Sequence, residues 1–79
     1  MKRINLEDQG QDILWFLVDE NGTVKCAGPF QSEIWQGAHI PLEMVEAGEK
    51  CPIHHPPVLM YEFLKYDVES IEEVADGEA

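Results

Sequence analysis

Ile13-Leu14-Trp15-Phe16-Leu17-Val18, then Asp19-Glu20-Asn21-Gly22, then Thr23-Val24-Lys25-Cys26-Ala27 is the stretch whose reading decides the fold. The first run is apolar on both faces and rich in aromatic and β-branched side chains, which suits a strand covered on both sides. Asn-Gly between two β-prone runs is a strong local hairpin signal, because both residues tolerate positive φ. A type I turn followed by a glycine bulge fits the same four residues. The second strand is more polar and meets Gly28-Pro29, where a ladder loses a donor.

Working outward, Ser32 can cap a short helix holding Glu33, Ile34, Trp35 and Gln36, with Gly37 as its stop. Pro41 suits the first position of a second helix with Leu42 and Val45 on its apolar side, Met44 as a further candidate there, and Gly48 at its end. Three prolines within Cys51-Pro52-Ile53-His54-His55-Pro56-Pro57 exclude a regular helix there. From Val58 to Tyr66, alternation of Leu59, Tyr61 and Phe63 with Met60, Leu64 and Tyr66 favours a strand, although a helix using Leu59, Met60, Phe63 and Leu64 fits too. Ile4 and Leu6 alternate with polar neighbours, so a short edge strand is open to residues 1–10. Otherwise residues 1–10 and 75–79 read as flexible.

These elements predict an α+β fold. About three antiparallel strands, near residues 12–19, 23–28 and 58–68, carry one or two short helices from 32–48 on one face. The 79 residues make a single small domain. A chain this short buries only part of its apolar surface and is often helped by a metal, a disulfide or a partner. It also has little material to wall a deep catalytic pocket, so the reading is of a binding protein and not an enzyme.

Charge is the strongest compositional feature. Sixteen Asp and Glu face five Lys and Arg, for a formal net charge of -11. Such a surface repels nucleic-acid phosphates and anionic membranes and attracts basic protein surfaces. The longest apolar run, Ile13 to Val18, is far too short to span a bilayer, and the first residues do not read as a signal peptide. The expected location is the cytoplasm, with Cys26 and Cys51 reduced.

Two constellations are candidates for a site. Cys51 and His54 have the C-x2-H spacing of half a zinc site, and Cys26, His39 and His55 are the further ligands available. A nucleophilic Cys–His pair has no accompanying motif, and there is no Gly-rich phosphate loop or calcium loop. The acidic end is the other candidate. Asp67, Glu69, Glu72, Glu73, Asp76 and Glu78 lie close together, and an extended chain would put Asp67, Glu69 and Glu73 on one side. Trp35 is either a flap over the core or a partner anchor, whereas Trp15 belongs to the core.

In size and charge the chain resembles the small acidic inhibitors made by phages, including DNA mimics and anti-CRISPR proteins. That resemblance implies a module that binds and blocks a basic, nucleic-acid-handling protein. The alternatives are a zinc-stabilised domain and an accessory subunit of a larger assembly.

Overall fold

The computed structural model describes residues 1–30, 32–55 and 60–75. It is mostly β. Strands β1 (Lys2–Leu6), β2 (Ile13–Val18), β3 (Val24–Pro29), β4 (Lys50–Ile53) and β5 (Glu62–Glu73) form one antiparallel sheet in the order β3-β2-β1-β5-β4. Helix is limited to α1 (Ser32–Trp35) and a 3-10 turn at Leu42–Met44. The α+β expectation with about three strands is therefore corrected to a five-stranded sheet with one short helix.

The β2–β3 hairpin forms as its sequence dictates. The Gly22 amide donates to the Asp19 carbonyl at 3.0 Å, Gly22 adopts φ 86°, and the Asp19 amide donates to the Thr23 carbonyl at 3.0 Å. This is the type I turn with a glycine bulge. The Asp19 carboxylate accepts from the Asn21 and Thr23 amides, each at 2.9 Å.

Lys2–Leu6 is the middle strand and not a loose lead-in. It pairs with β2 from Lys2↔Val18 to Asn5↔Trp15 and with β5 from Lys2↔Glu73 to Leu6↔Val68. Its alternation places Ile4 and Leu6 in the core beside Phe16, Val18 and Val68. β5 begins at Glu62; residues 58 and 59 of the expected strand lie outside the described residues, as do 76–79 of the expected flexible end. The acidic stretch 67–73 is not a tail but the second half of β5. Its first half pairs with β4 and its second with β1, with a register shift opposite Asn5 and Leu6 that lets so long a strand bend.

The sheet curls far enough for its two outer strands to share a strap. The Val24 amide donates to the Ala38 carbonyl at 2.8 Å and the Ile40 amide to the Gly22 carbonyl at 2.8 Å. On the other side His39 and His54 exchange both backbone bonds, each 2.8 Å. Residues 38–40 thus cover edges that would otherwise be open to pairing with another chain. The loop around the strap closes the core with Ala38, Ile40 and Val45. The second expected helix shrinks to a 3-10 turn because Leu42 and Val45 already reach the core from a single turn, and so short a helix has no stability of its own. No helix among the described residues is long and apolar enough to cross a membrane.

Candidate interaction surface

The expected zinc ligands do not converge. Among the described residues no three His, Cys, Asp or Glu side chains gather where they could hold a metal ion. Cys51 is fully buried in the apolar core, and burial pushes its thiol up to about 12, so the thiolate a metal needs is strongly disfavoured. Cys26 pairs with Leu17 in the β2–β3 ladder, and both cysteines are free thiols.

His39 and His54 do come together, around Tyr61. The Tyr61 hydroxyl lies 2.8 Å from His39 Nδ1, the Asn21 carbonyl lies 3.0 Å from His39 Nε2, and the His54 and Tyr61 rings are 5.6 Å apart. A carbonyl can only accept, so Nε2 carries the proton and Nδ1 accepts from the tyrosine. Both ring nitrogens of His39 are then occupied in bracing the seam. Nothing in the sequence marks this trio, since residues 39, 54 and 61 meet only through the strap.

Trp35 closes the core. It is partly buried, stands edge-on to Phe16 with ring centroids 5.6 Å apart, and lines a cleft of about 270 Å³ with Leu6, Ile13, Leu64 and Tyr66. Its indole N–H is buried and has no acceptor among the described residues. It is not an exposed anchor.

The acids of β5 do not form one stripe. Val68 faces the core, so Asp67 faces away from it. Beyond the register shift Ile71 pairs with the core residue Ile4, which places Glu73 in the core-side phase and Ser70 and Glu72 in the outward one. The expected shared side of Asp67, Glu69 and Glu73 is thereby broken by the bulge. Three of these carboxylates also have partners: Asp67 meets Lys50 at 3.2 Å, Glu73 meets Lys2 at 3.1 Å, and Glu72 accepts from Asn5 Nδ2 at 2.9 Å. Glu69 is exposed and borders a shallow groove with Arg3, Trp15 and Pro29.

All five basic side chains are engaged. Besides Lys2 and Lys50, Lys25 lies 3.6 Å from the Asp19 carboxylate, Arg3 bonds Asn5 and stacks over Trp15, and Lys65 stands over Tyr66. Uncompensated charge is spread over the surface: Glu7, Glu20, Glu33 and Glu69 are exposed, and their carboxylates have no hydrogen bond or ion pair among the described residues. Glu43, Glu46, Glu49 and Glu62 are exposed, and their side chains make no hydrogen bond or ion pair among the described residues.

Two of these, Glu46 and Glu49, line an open groove of about 440 Å³ together with Met44, Lys50 and Phe63. Glu43 is the chain neighbour of Met44, and Glu62 of Phe63. Met44 is 51% exposed and Phe63 62%, while Met60 and Tyr61, just ahead of β5, are exposed as well. Lys50 does not neutralise the glutamates, because its ammonium is held by Asp67 and the Lys65 carbonyl. The product is an apolar floor with an acidic rim. Compared with known proteins, the chain matches no family model, no curated protein and no solved structure.

Proposed function

We propose that this protein is an acidic interaction module whose partner presents a basic surface, and that it acts by binding and not by catalysis. The observation that carries the reading is the distribution of charge. Every basic side chain is engaged, while Glu46 and Glu49, which have no partner among the described residues, line a groove with the exposed apolar side chains of Met44 and Phe63. An apolar patch rimmed by like charges favours partners of opposite charge and rejects acidic ones. Cytoplasmic proteins that handle nucleic acids are the partner class with such basic surfaces, and covering one would block access of phosphates to it. Inhibition of the kind made by phages would follow from that occlusion. Mimicry of a phosphate backbone by β5 draws no support from carboxylates that are paired and out of phase.

The test is capture of proteins at low and high salt by three forms of the chain. These are the wild type, Glu43→Gln/Glu46→Gln/Glu49→Gln, and Glu72→Gln/Glu73→Gln. Basic proteins retained at low salt, released at high salt and lost only with the triple variant support the reading. Equal capture by all three forms, or retention that ignores salt, refutes it.

A further inference from the structure

We infer that the Met44–Phe63 groove takes an apolar side chain from a linear partner segment whose flanking residues are Lys or Arg. The inference rests on the interaction-module reading and adds the chemistry of what is recognised. A volume of about 440 Å³ is open to solvent and lined by one aromatic and one thioether side chain. At roughly 30 Å³ per water it holds on the order of fifteen waters, room for one large or two small side chains. Met44 is unbranched and adapts its shape to what packs on it. Phe63 contributes a rigid face whose position on β5 is fixed by pairing with the buried Pro52 of β4.

The rim determines what may flank the anchor. Glu46 and Glu49 line the groove, and neither carboxylate has a hydrogen bond or ion pair among the described residues. A neutral segment would leave these charges partly desolvated without compensation, and an acidic one would add repulsion. Lysine or arginine on either side of the anchor meets them in a charge-assisted geometry. The anchor supplies selectivity among basic segments, which a rim of charge alone does not give.

The experiment uses three dye-labelled synthetic peptides of equal length. One carries a single leucine among lysines and serines, the second has that leucine replaced by serine, and the third has every lysine replaced by glutamate. Binding to the full chain is followed by fluorescence anisotropy. The leucine peptide is expected to bind about tenfold more tightly than the serine peptide, and the glutamate peptide not at all. Met44→Ser and Phe63→Ser, each tested alone because both positions are exposed, are expected to bring that ratio close to one. Glu46→Gln/Glu49→Gln weakens both lysine peptides alike and flattens the salt dependence. If the two lysine peptides bind equally and with strong salt dependence, the groove inference is overturned while the acidic-module reading stands. If neither lysine peptide binds, both fall. A chain that sediments as a dimer and becomes monomeric with Phe63→Ser assigns the groove to a second copy, which also overturns the inference.

Discussion

Gly22→Ala is expected to destabilise the fold by about 3 kcal/mol and Gly10→Ala by only about 1 kcal/mol, from the left-handed backbone and loop-strain costs. The two glycines make a matched pair. Gly10 has φ 87° and Gly22 φ 86°, so both lie where an L side chain crowds the following carbonyl. That penalty is common to both, roughly 1–2 kcal/mol, less a few tenths for the stiffer unfolded chain. The surroundings differ. A Cβ at Gly10 meets nothing within 4 Å, whereas one at Gly22 runs into the Ile40 carbonyl oxygen, with Ile40 C at 3.2 Å and His39 Nε2 at 3.3 Å. The obstacle is backbone and cannot swing aside. Relieving it means pushing the strap away, which breaks the 2.8 Å bond from the Ile40 amide to the Gly22 carbonyl and loosens its neighbours. One lost buried backbone bond and its unsatisfied partners add about 1–3 kcal/mol. The assay is urea unfolding followed by the fluorescence of Trp15 and Trp35. With a slope near 1 kcal/mol/M for so small a chain, the midpoints of the two variants should differ by about 2 M. Loss of hydrogen-exchange protection at the Ile40 amide should accompany the shift. Equal midpoints for the two variants would refute closure of the sheet by residues 38–40.

Three further outcomes are expected. In the native protein iodoacetamide should modify Cys26 and spare Cys51, whose buried thiol stays protonated, until denaturant exposes it; equal rates on both would contradict the core position of Cys51. The Thr23 amide, then the Asn21 amide and Lys25, hold the Asp19 carboxyl below the usual value of 3.8 against an opposing burial effect. This contribution to stability is complete above that value and is lost as pH falls through the lower folded-state value, so Asp19→Asn should flatten the acid side of the stability–pH profile; an unchanged profile would remove the turn from the account of acid unfolding. Trp35→Phe should change stability by no more than about 1 kcal/mol, because the lost packing is offset by deleting an indole N–H that has no acceptor among the described residues; a loss above about 2 kcal/mol would mean that the N–H is bonded in solution.

The hairpin was legible because its signal is local: Asn21-Gly22 and two β-prone runs carry it without reference to the rest of the chain. The short helix ending near Gly37, which has φ 83°, was legible for the same reason. β1 was half legible, as the alternation of Ile4 and Leu6 is real but too short to reveal a strand paired on both sides. β4 was hidden by Pro52, which argues against a strand until the shifted register between Lys50 and Pro52 makes room for a residue with no amide hydrogen. The second half of β5 was legible as an extended acidic stretch but not as a strand paired with β1, because six carboxylates crowd the last thirteen residues. Two of them, Asp67 and Glu73, are neutralised by Lys50 and Lys2, which lie far off in sequence and meet them only across strand pairs. The candidate surface was invisible for the same reason. Met44 and Phe63 belong to a loop turn and a strand that the sheet brings together, and each alone reads as an ordinary core residue.

A net charge of -11 on so small a domain carries a self-repulsion that the fold must distribute. The distribution is uneven. Where β5 crosses the sheet, acids lie next to strands that must pair, and there the bases are placed: Lys50 stands against the middle of β5 at Asp67 and Lys2 against its end at Glu73, while Asn5 donates to Glu72. Glu46 and Glu49 have no such pairing partner among the described residues. Instead they share a groove with Met44 and Phe63, two apolar residues that face water and contribute little to folding. Leaving such residues uncovered gains nothing for the isolated chain. It does favour association, and the rim restricts that association to partners able to bring positive charge. Replacing both apolar residues by serine should therefore leave urea stability within about 0.5 kcal/mol of wild type, as for surface positions generally, while removing selectivity for the leucine-bearing peptide. A large loss of stability would instead make Met44 and Phe63 part of the core, and the groove would have no claim to a partner.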